Sequence, residues 1–256
     1  IASLKAAKET AEAEIARLEA IFSLYTDSSL AQLNRLGRLE APPFDLLECL
    51  ALCDSVYQAT GGVFDPTIQP VWALYAESYA AGAAPSEEQV YAALARTGWS
   101  RLRYDEASVT LEPGMALTLN GVAQGFIADR VGALLKARGL SHVLVDTGEF
   151  NALGPQSNGA PWPVRLTAGG QVDLTKGALA SSSALGTTFD PEGRVGHILS
   201  PLTGRPAPSR WQLVTITAPS AGLADALSTA ACLMEDRTQI EGALVPFAEA
   251  RLAHLA

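Results

Sequence analysis

Asp225 and Thr229 stand four residues apart in "SAGLADALSTAACLM", a stretch that reads as a helix opened by Ser220. That spacing places a carboxylate and a hydroxyl on one helical face, near its beginning. Two hard oxygen donors with room for backbone carbonyls and waters suit Mg2+, which prefers sparse protein ligation shared with substrate phosphates. The same pair also serves an ordinary helix, Asp225 complementing the dipole and Thr229 bonding back to a carbonyl. An earlier stretch repeats the geometry: strand "MALTLN" enters "GVAQG" and helix "FIADRV" follows. Such a glycine-bearing junction offers backbone N–H groups to a phosphate or pyrophosphate, although "GVAQG" is neither a dinucleotide fingerprint nor a Walker loop. The third feature is His197 in "GRVGHILSPLTGRP", a strand-end position at a loop rim before Pro201 and Gly204. Imidazole titrates near neutrality, so His197 can orient or deprotonate a substrate group there, or else sit satisfied in the core. His142 and His254 receive no role. There is no G-x-S-x-G, and "ASSSALG" lacks a nearby base.

Elements that must position these residues follow from periodicity and punctuation. The first 25 residues carry Leu4, Ala7, Ala11, Ile15, Leu18 and Phe22 at helical spacing, an amphipathic helix. Ser28 caps a short helix holding Leu30 and Leu33, and a further helix over 44–60 stops at Gly61 and Gly62. "VFDPTIQPVWALY" is broken by Pro66 and Pro70, "AESYAAGAAPS" reads as a connector, and Ser86 caps "SEEQVYAALARTG". Beyond it, "SVTLEPGMALTLN" alternates about Pro113-Gly114 like a hairpin, and "GFIADRVGALLKARG" is a helix ended by Gly139. "HVLVDTG" is a short buried strand, "PVRLTAGGQVDLTKGALASSS" is more strand with turns, and "QLVTITA" is another. The expected fold is a single α+β domain over 1–256, with mixed or antiparallel sheets flanked by helices.

Composition narrows the function classes. With 27 acidic against 18 basic residues the formal charge is −9, which repels nucleic acid in the absence of a basic patch. Cys49 and Cys53 share a helical face as small buried thiols, and three cysteines do not make a disulfide framework. No apolar run is long enough to span a bilayer, and no export signal opens the chain, which reads as a trimmed mature form.

Taken in order, "FSLYTDSSLAQLNR", "TGGVFDPTIQPVWALY", "LNGVAQGFIADRVGALLKARGL", "VLVDTGEFNALG", "GALASSSALG", "GHILSPLTGRPA" and "VTITAPSAGLADALSTAACLM" resemble the ApbE family, the Mg-dependent FAD:protein FMN transferases. The resemblance implies an enzyme that binds FAD and moves FMN to a Thr or Ser hydroxyl of a target flavoprotein, releasing AMP. It implies Asp225, Thr229 and the backbone carbonyl of Ala123 as metal ligands. It puts Tyr25, Val63, Phe64, Asp65, Asn120, Gly121, Val122, Gln124 and Ile198 around FAD, and His197 beside the scissile pyrophosphate as base, with Asp225 the other catalytic group. The chain departs from the family pattern in places: the turn Asp-Leu-Gly-Gly-Ile-Ala-Lys-Gly appears as Thr118, Leu119, Asn120, Gly121, Val122, Ala123, Gln124 and Gly125, so that Gln124 replaces a lysine, while Ser28-Ser29 stands for a Ser-Glu pair and Gly148-Glu149 for a Gly-Gly pair. "LNGVAQG" with "VDTGE" is similar to the NosX branch, implying a periplasmic protein, not itself transmembrane, whose partner is the membrane-bound NosR of nitrous oxide respiration. Two other readings are an Mg-dependent FAD pyrophosphatase and a non-catalytic FAD carrier.

Overall fold

The computed structural model describes residues 4–256. At its centre lies α7 (Ala221–Ala231), where Ser220 accepts from the Leu223 N–H as N-cap and the sequence is mostly alanine. Every residue of this helix except Thr229 is buried. A helix enclosed on all sides belongs in the middle of a fold, and small side chains let its neighbours approach. One side rests on β8 (Gly177–Ser182) and β9 (Val214–Ala218), the central strands of a five-stranded antiparallel sheet ordered β10-β9-β8-β5-β4. Its remaining strands are β4 (Leu144–Asp146), β5 (Phe150–Ala152) and β10 (Arg251–Leu255). On the other side pack α3 (Phe44–Ala59) and α6 (Ala123–Ala137), and α6 in turn carries α1 (Leu4–Phe22). Ile1 to Ser3 of the expected first helix lie outside the described residues.

The α6–α7 contact is backbone against backbone. A Cβ on Gly125 would overlap the Ala221 carbonyl, so only glycine permits this approach. Asp129, one turn along α6, accepts from the N–H groups of Ala221 at 2.7 Å and Gly222 at 2.9 Å. A carboxylate at a helix start satisfies orphan donors and complements the dipole. Asn151 on β5 donates to the same carboxylate at 2.6 Å, so one side chain ties α6, α7 and the sheet together.

The α+β class holds, and every strand pairing among the described residues is antiparallel: besides the main sheet, β1 (Arg38–Glu40), β2 (Arg103–Tyr104) and β3 (Ser108–Thr110) form a three-stranded sheet ordered β1-β3-β2, and β6 (Trp162–Arg165) pairs with β7 (Gln171–Leu174). Ser28 and Ser86 cap their helices as expected, Ser86 through a full capping box with Gln89. The hairpin at Pro113-Gly114 does not form. Met115, Leu117 and Leu119 are buried in alternation, but the segment's hydrogen bonds go elsewhere: Asn34 brackets Leu117 with bonds of 2.7 and 2.8 Å, and Thr118 N–H donates to the Pro66 carbonyl. Nor do Pro66 and Pro70 break the chain. Each occupies the first turn of a helix, a 3-10 turn at Pro66–Ile68 and then α4 (Gln69–Ala80), which absorbs half of the expected connector. The strand around Val145 is half-exposed because β4 is the sheet's edge, and α8 (Arg237–Leu244) and β10 were not expected.

Replacing Gly125 by Ala forces α6 and α7 apart. The expected cost is roughly 1–3 kcal/mol, read as a lower urea midpoint; an unchanged midpoint contradicts the packing argument.

Candidate functional site

A cavity of about 530 Å³ opens where α7, the start of α6, β8 and the 197–201 segment meet. Of the residues expected at the site, Val63, Phe64, Asp65, Asn120, Gly121, Gln124, His197, Ile198, Asp225 and Thr229 line it. The sequence separates these groups by more than 160 positions, and the α6–α7 contact reunites them. Thr229 meets Gly121 from across the junction: a Cβ there would stand 3.1 Å from the Thr229 hydroxyl oxygen. Asp225 accepts from the Gly125 N–H at 3.2 Å through Oδ2.

Asp225 is 4% exposed, and burial raises its carboxyl to about 7 despite the Gly125 N–H, with the Asp129 charge adding to the rise. Ser182 on β8 stands 3.4 Å from the Thr229 hydroxyl and 2.7 Å from Ser228, whose own hydroxyl donates to the Asp225 carbonyl. The face bearing both oxygen donors is therefore anchored to the sheet.

His197 is half-buried, and its Nδ1 lies 2.9 Å from the Thr187 carbonyl. A carbonyl only accepts, so Nδ1 carries the proton and the neutral ring presents the Nε2 lone pair. Burial lowers its pKa below the ordinary imidazole value, against the opposing pull of Thr187. At neutral pH this is an unprotonated, oriented base.

Three expected residues do not line this cavity. Val122 and Ala123 belong to the main core, because α6 begins at Ala123, two residues earlier than the sequence implied. Tyr25 is 78% exposed and borders a second hollow of about 940 Å³, which shares Trp72 with the first. Asp65 is at the wall but its oxygens are engaged, by Thr67 at 2.6 and 2.8 Å and by the Trp99 N–H at 3.1 Å. The helix starts are also less open to an anion than the sequence suggested. The first four N–H groups of α7 are taken by Asp129 and Ser220, and three of the first four in α6 by Leu119, Asp225 and Val122. In "GRVGHILSPLTGRP", His197 follows an isolated bridge at Gly196 rather than ending a strand.

Several lining residues had no role in the sequence reading: Trp72, Arg165, Ser181, Ser182, Thr187 and, above all, Glu149. Glu149 is 8% exposed, with its Oε2 3.3 Å from the Ser181 N–H. Burial first, and then the Asp225 charge, raise its carboxyl to about 9. Glu149 follows a turn in which the Gly148 N–H donates to Asp146 Oδ1 at 3.0 Å. Cys49 and Cys53 are buried free thiols, as their spacing suggested, and Cys232 is a third. Among the described residues, no three His, Cys, Asp or Glu side chains gather as a metal cluster.

Residues 1–244 match the model of the ApbE family. The chain belongs to that family. The FAD:protein FMN transferase of Escherichia coli (strain K12) is 27% identical over 243 residues, 87% of this chain and 69% of that protein. Among solved structures, the ApbE protein of Thermotoga maritima superposes with a TM-score of 0.85 at 26% identity, covering 93% of this chain and 82% of that one. The apo flavinyl transferase ApbE of Pseudomonas stutzeri gives 0.83 at 28%, covering 94% and 80%. This ApbE member thus shares its layered helix and antiparallel-sheet fold with flavin transferases.

The two raised carboxyls set a pH dependence. Glu149 moves from an ordinary 4.5 to about 9 and Asp225 from 3.8 to about 7 on folding. At these two sites the native state then holds more protons than the unfolded chain between those limits, so their contribution to stability is greatest at acid pH and falls as pH rises. Urea unfolding in EDTA is expected to show this decline between pH 5 and pH 9, each group contributing at most about 1.4 kcal/mol per pH unit. Glu149→Gln is expected to flatten it; an identical slope in that variant contradicts the burial argument.

Proposed function

We propose that the chain is an FAD:protein FMN transferase, which moves FMN from FAD to a Thr or Ser hydroxyl of an acceptor protein and releases AMP. The observation that carries this reading is the convergence of His197 with the Asp225–Thr229 pair in one cavity. The activity named for the E. coli relative supports it. Val63, Phe64, Asn120, Gly121, Gln124 and Ile198 would contact FAD across this cavity, and Tyr25 would meet the portion that reaches past Trp72 into the second hollow.

Asp225 and Thr229 suit Mg2+ as its protein ligands: both offer oxygen, both face the cavity, and Asp225 Oδ1 receives no hydrogen bond from any described residue. The Ala123 carbonyl, which we propose as a third ligand, belongs to the first residue of α6. Bound there, Mg2+ would offset charge on the pyrophosphate. His197 Nε2 takes the proton of the acceptor hydroxyl as its oxygen bonds to the FMN phosphorus. The phosphoanhydride bond to AMP breaks, and AMP leaves with that electron pair. The Thr187 carbonyl holds the tautomer this step needs. Anchoring matters as much as basicity, because attacking and departing oxygens must be in line.

For the acceptor we propose NosR, and for the compartment the periplasm, on the likeness of "LNGVAQG" and "VDTGE" to the NosX branch. No described helix is long and apolar enough to cross a membrane.

His197→Ala is expected to lower kcat about 100-fold or more while FAD affinity, read by flavin fluorescence, changes little. A parallel fall in both makes His197 a positioning residue. In the parent enzyme the acid limb of kcat/KM should fall below the free imidazole pKa, because burial depresses that of His197. Asp225→Ala is expected to retain the fold and lose Mg-dependent AMP release; full activity in this variant removes the metal assignment.

A further inference from the structure

We propose that Glu149 is a second carboxylate ligand of the divalent cation, opposite Asp225, and that FAD enters this cavity only with that cation in place. The inference rests on the Mg2+ part of the proposed function and adds a residue to it. Glu149 precedes β5, which pairs with β8 through Phe150 and Leu179. Two consecutive β8 residues then connect it to the cation face of α7: Ser181 donates its N–H to Glu149, and Ser182 Oγ contacts Thr229 Oγ1. Glu149 is therefore at the same end of the cavity as Asp225 and Thr229, and the charge of Asp225 reaches it.

Neither carboxylate has a protein cation. No described Lys, Arg or His pairs with Glu149 or Asp225, and Glu149 Oε1, like Asp225 Oδ1, accepts no hydrogen bond from any described residue. Burying unpaired charge is costly, so two such groups facing one space call for a cation or for protons between them. A pyrophosphate decides between these. The lining sets three carboxylates, Asp65, Glu149 and Asp225, against one arginine, Arg165, which is exposed on its strand. An anionic dinucleotide would be repelled by that balance, and protonating the acids would leave its own charge unmatched. A divalent ion held by Glu149 and Asp225 neutralises the wall and presents open positions to the phosphates, the arrangement oxygen-ligated Mg2+ favours. Gln124, neutral and resting against Gly148, supplies no charge in the ion's place.

The test is Mn2+ binding by electron paramagnetic resonance, with and without FAD, on the full chain and on Glu149→Gln, Glu149→Asp and Asp225→Asn, each checked for folding by circular dichroism. Glu149→Gln is expected to weaken Mn2+ affinity about 10-fold or more, and Glu149→Asp to recover part of the loss. In EDTA, Glu149→Gln should bind FAD about as well as the parent, since no cation is there for the carboxylate to hold; a merely structural residue would weaken binding there. Mn2+ affinity within twofold of the parent in Glu149→Gln, with loss in Asp225→Asn, overturns the role of Glu149 and leaves the Mg2+ reading intact. Absence of Mn2+ binding by the parent chain under both conditions overturns both. Tight FAD binding by the parent in EDTA overturns the claim that the cation must come first.

Discussion

The contact of Gly125 with the Ala221 carbonyl is the constraint on which the site depends. It lets α6 and α7 touch along their backbones, and the geometry that follows is specific: Gly125 N–H reaches Asp225, Gly121 meets Thr229, and Asp129 caps α7. A larger residue at 125 would separate Gly121 from Thr229 and the Gly125 N–H from Asp225 before any side chain lining the cavity was altered. The glycine thus links packing to chemistry.

Electrostatics impose the complementary requirement. The fold spends stability to bury Asp225 and Glu149 beside a cavity, while it gives the partly buried Asp129 three hydrogen-bond donors. The contrast separates a carboxylate whose partners the fold supplies from two for which we propose a cation. Asp129 is satisfied by the protein; Asp225 and Glu149 each keep an oxygen for something the protein does not supply. His197 completes the site with the opposite polarity, an imidazole held neutral by burial and aimed by Thr187.

Much of this was legible where a local rule and the tertiary structure agree. The caps at Ser28, Ser86 and Ser220, the glycine stop at Gly139 and the Asp225–Thr229 face all follow from short-range chemistry. The α8 start was legible too, since Asp236 accepts from Gln239 N–H in the pattern of a capping residue, but it was not read. Long-range partners were not available to that reasoning. The alternation at Met115, Leu117 and Leu119 signalled a half-buried extended segment, yet its hydrogen bonds come from Asn34, 83 positions from Leu117, so no hairpin forms. Glu149 was visible as a departure from its family's pattern. Only its burial, and its connection to Thr229 through Ser181 and Ser182, gave that departure a chemical meaning.

The central claim is that this cavity divides FAD between an acceptor hydroxyl and AMP. Intact-mass spectrometry of a purified acceptor domain, after incubation with the chain, FAD and Mg2+, tests it most directly. The account predicts an acceptor heavier by one FMN residue, with AMP formed in equal amount and neither product in EDTA. Free FMN and AMP beside an unmodified acceptor would contradict it, since water would then be the nucleophile that His197 serves.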